Sequence, residues 1–402
     1  MKGRKESHIN PLKKIICEKR EFLLIALIII LTLFSRIFLV KESGYLSDRN
    51  MYLSWASSSK DSAFGEIYKK SSSDNMPLIL LMQREALKLH SHINFGLSAL
   101  DFLKIPNIIL DILSAIAIFY IVKRISPRHA FLSALIFSLN PAIIFVTSYW
   151  GQADTILFTL LAILFIEKPE ISMIFLSASV FYKLQNIIFL PIILFFIIRK
   201  FSWKRVLSSL LAGAITAIAI IYPFASFGYL SDVTHVAFNS AGVYPHITMN
   251  AYNIWKIVDC TLGKCADEWW NSTSDNLMIF PHFSLRHFSL LLFFSSIVFS
   301  LAYIGIKTKK EKKRLFLEKD EKISKREICA LILSCAFAAF SFFMLSTEMH
   351  ERYLFYAMPL LAAAFFLFRE LKAAYIIASA SFLINCIRAL TAIYKNNSFE
   401  IL

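Results

Sequence analysis

Ala330-Leu331-Ile332-Leu333-Ser334-Cys335-Ala336-Phe337-Ala338-Ala339-Phe340-Ser341-Phe342-Phe343-Met344-Leu345 carries no charge, and neither does the apolar run Leu354 to Phe368. Between them lies Thr347-Glu348-Met349-His350-Glu351-Arg352-Tyr353, with four ionisable side chains in seven residues. Runs of this kind are the length of membrane spans. Ionisable groups so close to hydrocarbon are costly unless they line a cavity or hold a ligand. The stretch therefore implies a membrane protein with a polar site at the end of its helices.

Composition extends that reading to the whole chain. It is 57% hydrophobic with a mean hydropathy of +0.59, against about 45–50% apolar residues in soluble domains. The expected fold is all-α, a polytopic integral membrane protein forming one multi-pass unit over 1–402. About eleven spans are expected, near 22–40, 105–122, 129–148, 153–166, 171–183, 186–199, 204–225, 286–306, 327–345, 354–368 and 373–394. Phe22 to Val40 is long and has no small-residue cleavage site, so it reads as an uncleaved first helix. The runs at 153–166 and 171–183 are short and read as half-helices packed inside the protein.

A net charge of +15 invites a nucleic-acid reading, but its placement points elsewhere. With the N-terminus inside, well over half of the 43 lysines and arginines fall in the inner segments, as the positive-inside bias requires. The basic run 307–326 then reads as a cytoplasmic loop near anionic headgroups. No nucleic-acid partner is expected.

Two long loops fall on the outer side. The first, 41–104, has helical spacing of apolar residues, which suggests helices lying in the membrane interface. The second, 226–285, contains Trp255, Trp269 and Trp270, and aromatics favour headgroup depth. Cys260 and Cys265 share this loop, and both a disulfide and two unpaired thiols fit that placement. Asn271-Ser272-Thr273 and Asn396-Asn397-Ser398 fit the glycosylation pattern, which has meaning only in a secretory compartment.

This topology gathers the conspicuous polar residues on one face. They are Asp48, Asp74, Gln152 with Asp154, Lys183 with Gln185, Asn250 with Asn253, and the 348–352 cluster. Each also has a plainer reading. Asp48 and Asp154 could cap helices, Asp74 could cap a turn, and Lys183 could snorkel. His350 and Arg352 could form structural pairs with Glu348 or Glu351. Asp111, inside the second span, reads as a structural contact between helices.

Outward-facing acids and bases at a lipid surface suit glycosyl transfer from a lipid-linked sugar. An acid can take the proton from an attacking hydroxyl, and the phosphate leaving group needs Arg, Lys or His aimed at it. A transporter or flippase of lipid-linked sugars is the alternative. It would place its charges at the midplane between paired repeats. A third reading is a non-catalytic subunit that binds a partner through the second loop.

The motifs also carry a resemblance. Asn140-Pro141 followed by Trp150-Gly151-Gln152-Ala153-Asp154 resembles a pattern of GT-C glycosyltransferases. Nearest is the second mannosyltransferase of GPI-anchor assembly and its prokaryotic relatives. Met349-His350-Glu351-Arg352-Tyr353-Leu354-Phe355, Asn250-Ala251-Tyr252-Asn253-Ile254-Trp255 and Ser47-Asp48 with Tyr52 and Trp55 are similar to further hallmarks. The resemblance implies an inverting transfer, commonly of mannose, from a polyprenyl- or dolichyl-phosphate donor to a glycan or glycolipid acceptor. The site would face the extracytoplasmic side of a prokaryotic plasma membrane or of the endoplasmic reticulum.

Carried onto this chain, the resemblance makes Asp48 the general base. Asp154 orients the site or an optional divalent cation, Mg or Mn. Lys183, His350 and Arg352 face the donor phosphate. Asp74, Gln152, Gln185, Asn250, Asn253 and Glu351 contact substrate. Relatives often have Asp-Tyr-Pro-Pro where this chain has Asp74-Asn75-Met76-Pro77, which weakens a metal role for Asp74. They often have Lys-Pro-Gln where this chain has Lys183-Leu184-Gln185, which leaves the cation in place.

Overall fold

The computed structural model describes residues 11–397 apart from 72, 94–95, 240–241, 243, 266–268 and 309–321. Most of the basic run 307–326, the first ten residues and the sequon at Ser398 lie outside the described residues.

The described chain is helical almost throughout. α1 (Pro11–Ile37) leads into α2 (Leu46–Ser59), α3 (Ile67–Ser71), α4 (Pro77–His92) and α5 (Ala99–Phe102). α6 (Ile105–Ile125), α7 (Ala130–Ser138) and α8 (Pro141–Ile144) follow, with a π-helical turn over Phe145–Trp150. Next come α9 (Leu157–Leu164), α10 (Pro169–Tyr182), α11 (Leu190–Lys200), α12 (Trp203–Ser226), α13 (Leu230–Asn239) and α14 (Ile254–Thr261). A small antiparallel hairpin, β1 (Met278–Phe280) and β2 (Phe283–Ser284), precedes α15 (Leu285–Lys307). α16 (Lys325–Leu345), α17 (Met358–Ala364) and α18 (Glu370–Asn397) complete the described chain.

The chain is a multi-pass membrane protein. Five described helices are long and apolar enough to cross a membrane: Ala99–Ile125, Trp203–Ser226, Leu285–Lys307, Lys325–Leu345 and Glu370–Ala392. A sixth span arises if α7 and the Pro141–Trp150 stretch, bent by 45°, count as one. Their lipid-facing sides are apolar. On α12 the stripe Leu207, Leu211, Ile215, Ile218 and Tyr222 is exposed, at the spacing that makes one helix face.

Four of the remaining expected spans, 153–166, 171–183, 186–199 and 354–368, form helices shorter than a bilayer. α9 has 8 residues, α10 has 14 and α17 has 7. The physical reason is the polar backbone between them. Asp154 and Thr155 precede α9, Lys183 ends α10, and Tyr353–Tyr356 is a 3₁₀ turn before α17. A helix break is tolerated at this depth where protein surrounds it, and these breaks are buried. The first apolar helix also ends at Ile37 rather than Val40.

Two packed regions place the site. The larger core joins α1, α6, α7, α9, α11, α16 and α17 through residues such as Ile28, Ile118, Phe137, Leu160, Phe196 and Leu331. Segment 41–104 builds its own core from Tyr52, Trp55, Ile67, Tyr68, Ile79 and Leu80, closed by Phe224 of α12. The helices expected in this first loop are therefore present as a folded layer over the bundle. α16 begins at a reciprocal cap between Ser324 and Glu327, a motif that satisfies two otherwise unpaired backbone donors. Glu327 is further fixed by Lys200 at 2.9 Å.

Candidate active site

Asp48 sits in the first turn of α2. Its carboxylate is met by two side chains from the far side of the sequence. Trp150 Nε1 donates to Asp48 Oδ2 at 3.1 Å, and Gln152 Nε2 donates to the same oxygen at 2.5 Å. Tyr52, one turn further along α2, donates its hydroxyl to Gln152 Oε1 at 2.7 Å. The π-turn makes this geometry. Its extra residue per turn turns Trp150 inward. Gly151 at φ +86 then reverses the chain, and the Gly151 and Gln152 amides both reach Val146 O. A left-handed φ of this kind favours glycine.

Asp154 is buried behind this group. Its Oδ1 accepts from Lys183 and, at 3.0 Å, from the Tyr356 hydroxyl. Its Oδ2 lies 3.5 Å from Arg352 Nε without a hydrogen bond, and both atoms lack a partner of that kind. Arg352 Nη1 donates to Glu351 Oε1 at 2.9 Å and lies 3.3 Å from His350 Nδ1. The guanidinium rests over the rings of Trp150 and Tyr353. Gln185 donates to the Tyr353 hydroxyl at 2.9 Å.

A cavity of about 220 Å³ opens between these elements. Asp48, Asp74, Lys183, Gln185, His350 and Arg352 line it, with aromatic walls from Tyr52, Trp55, Tyr244 and Tyr353. Drug-sized pockets run from about 300 to 1,000 Å³, so this space suits one small polar group. Those six polar residues were singled out in the sequence as site residues, whereas Met51, Asn75, Met76, Leu184, Val236, Met249, Glu348 and the four aromatics were not. Gln152, Asp154 and Glu351 stand behind it and hold the residues that face it.

Asn250 and Asn253 fall outside the lining of this cavity. Asn253 caps α14, accepting from Trp255 N at 3.0 Å and donating to Phe343 O at 2.9 Å. Asn250 occupies a turn at φ +64 and its carbonyl accepts from Asn385. Asn140 likewise caps α8 and donates to the Tyr375 hydroxyl. Asn140 and Asn253 thus start helices, a position that favours asparagine. Cys260 and Cys265 form a disulfide.

The sequence reading missed Tyr52, Trp150 and Glu348 as site residues. Trp150 and Tyr52 stood inside quoted motifs, but nothing local showed that an indole N–H would reach Asp48. Glu348 lines the cavity at φ +60. Its Oε2 accepts from Gly242 N at 2.7 Å, and its Oε1 lies 2.6 Å from Arg286 Nη2.

The surroundings tune the acids in opposite directions. Burial pushes the Asp48 carboxyl above the ordinary carboxylate range, against the pull of Arg352 and the Trp150 hydrogen bond. Burial would raise Glu351 too, but His350 and the Arg352 charge hold it below its usual value. Burial and Arg352 lower the His350 imidazole, so it is neutral near pH 7. The ring borders the cavity beside Arg352 and Tyr353. Burial raises Glu348 to about 7 even though Arg286 is close, because Asp275 competes for the same guanidinium.

Among the described residues no group of three or more His, Cys, Asp and Glu side chains is placed to hold a metal ion. Of Asp154, the expected metal-orienting acid, Oδ1 accepts from Lys183 and Tyr356, and Oδ2 has no hydrogen bond. No protein-family model matches the chain, and no curated protein matches it at a significant level.

Proposed function

We propose that the chain is a membrane glycosyltransferase of the GT-C type, with the broken helices 153–199 and 353–368 completing an eleven-span fold. One observation carries the reading: the carboxylate of Asp48, raised in proton affinity, shares one small cavity with Lys183, His350 and Arg352. A base whose proton affinity approaches the working pH is better suited to general-base catalysis.

In the proposed step Asp48 accepts the proton of an acceptor hydroxyl. The freed oxygen pair forms a bond to the anomeric carbon from the face opposite the leaving group. The bond from that carbon to the phosphate oxygen breaks, with inversion, and the lipid phosphate leaves with the electron pair. The charge developing on that oxygen meets the remaining N–H groups of Arg352 and Lys183 and a neutral N–H of His350. Lys183 and Arg352 already face Asp154 and Glu351, so the pairs are close to neutral before the donor arrives. That balance favours release of the product phosphate. Mannose from a polyprenyl- or dolichyl-phosphate is the donor the motifs point to. The charge bias supports a cavity on the extracytoplasmic side, of a plasma membrane or of the endoplasmic reticulum.

The test is transfer in proteoliposomes from a polyprenyl-phosphate sugar, with Asp48→Asn as the variant. Loss of transfer by about 10²–10⁴-fold is the expected result for removal of a general base, with folding and insertion retained. Full activity in Asp48→Asn removes that residue from the mechanism. Movement of lipid without a new glycosidic bond in the wild-type protein favours a transporter. Mass spectrometry of lipid-linked and surface glycans in a deletion strain identifies the sugar.

A further inference from the structure

Below Asp48 lies a lysine that the step above does not use. Lys104, just before α6, is 1% exposed. Its ammonium donates to Leu39 O at 3.2 Å, Glu42 O at 2.7 Å and Tyr149 O at 2.9 Å. A lysine has three N–H donors, and here backbone carbonyls take all of them. Burying an ammonium costs several kcal/mol, a high cost for the closure of a turn alone.

The three carbonyls belong to two separate segments. Leu39 and Glu42 lie in the turn between α1 and α2, which leads to Asp48. Tyr149 closes the π-turn, which leads to Trp150 and Gln152. The two segments touch directly: a side chain on Gly44 would lie 2.4 Å from Tyr149 O. Arg49, the neighbour of Asp48, ties the same turn from the other side. Its Nη1 donates to Glu42 O at 2.9 Å, and its Nη2 pairs with Asp101 at 2.7 Å. The Lys104 stem packs under Gly151, where a methyl group would meet its Cε at 3.2 Å. Asn107 of α6 donates to Gly151 O at 3.2 Å.

We infer that Lys104 is a positioning residue for Asp48, joining the α1–α2 turn to the Tyr149–Gln152 segment so that Trp150 and Gln152 stay on the Asp48 carboxylate. The inference rests on the reading of Asp48 as the base. It differs from a purely structural role in one consequence. If the node loosens, Asp48 loses donors that stabilise its ionised form, and its proton affinity rises further.

The experiment uses the full chain in lipid with Lys104→Met and Lys104→Gln. Two quantities are followed against pH: the turnover number, and labelling of Asp48 by a hydrophobic carbodiimide, which reacts with the protonated acid and is read by mass spectrometry. In both variants the labelling midpoint and the acid limb of turnover should move upward by about one pH unit, as loss of hydrogen bonds to a carboxylate implies. Turnover at neutral pH should fall roughly 10–100-fold while donor and acceptor KM stay within about threefold, the pattern of a lost transition-state interaction. A folded Lys104→Met protein with both profiles unmoved overturns the inference. So does a fall in turnover without a shift in labelling. If Lys104→Met yields no folded protein, the same readouts in Lys104→Gln decide. A wild-type protein that transfers no sugar breaks the functional reading, whereas the labelling midpoints still test the positioning.

Discussion

Arg36 and Arg352 each meet a buried aspartate, and their surroundings differ. Arg36 Nε lies 2.9 Å from Asp111 Oδ2, and its Nη1 donates to Thr32 O, Ser35 Oγ and Ser138 O. Thr147 also donates to Asp111 Oδ2 at 2.7 Å. The group ties α1 and α6 to α7 and the π-turn, and both charged side chains are essentially unexposed. Arg352 sits on a loop, faces the polar cavity and keeps 15% of its side chain exposed. Each arginine has one buried nitrogen without a hydrogen bond, so an unmatched buried donor does not separate them. The cavity does. A buried ion pair with no space beside it fixes helices, whereas one that borders a cavity can exchange partners with a ligand.

The sharpest way to break this contrast is to remove each arginine. Arg36→Met strands the Asp111 carboxylate and should cost about 3–5 kcal/mol of stability, as for other broken buried pairs. Adding Asp111→Asn should recover much of that loss in denaturant unfolding, and the folded fraction should keep its turnover. A fall in turnover with normal stability would move Arg36 into the site.

Arg352→Ala should do the reverse. Its donor kcat/KM should drop about 10²–10³-fold, or about 2.7–4 kcal/mol, the range for losing one charge-stabilising donor. Acceptor KM should stay constant. Stability should fall less than in Arg36→Met, since Arg352 borders the cavity and keeps 15% of its side chain exposed. Unchanged donor kinetics would remove the phosphate role.

Trp150→Phe tests the tuning of the base. The indole N–H stabilises ionised Asp48, so its loss raises an already elevated proton affinity. The base works only when deprotonated. The acid limb of turnover should therefore move to higher pH, by roughly half to one unit for one neutral donor. A fixed limb would mean that Asp48 does not control it.

The smallest effect concerns Glu348. Its native proton affinity is raised to about 7 from an ordinary 4.5. Between those values the native state holds a proton that the unfolded chain has lost, so its contribution to stability decreases as pH rises. The decrease is complete above about pH 7. Glu348→Gln should flatten this part of the stability profile, measured by unfolding at a series of pH values. An unchanged slope would assign it to another group.

The Arg36 and Arg352 groups also differ in how far the sequence revealed them. The 348–352 cluster stood out because four ionisable residues interrupt apolar sequence. Asp111 was readable as a structural contact for the same reason, but its partner, 75 residues away, was not. The cap role of Asn253 was not legible, because a cap and a ligand use the same amide chemistry. Lys104 was visible only as a cation near a helix start.

The sequence by itself determined that this is a multi-pass helical membrane protein with its ionisable residues set between apolar runs. Hydrophobicity and charge order suffice for that, because lipid penalises every exposed polar group. Only the tertiary structure decided which polar residues share a cavity. Asp48 meets Trp150 and Gln152 across about a hundred positions of chain. That meeting depends on a π-turn, a left-handed glycine and a buried lysine, none of which leaves a periodic trace in the sequence.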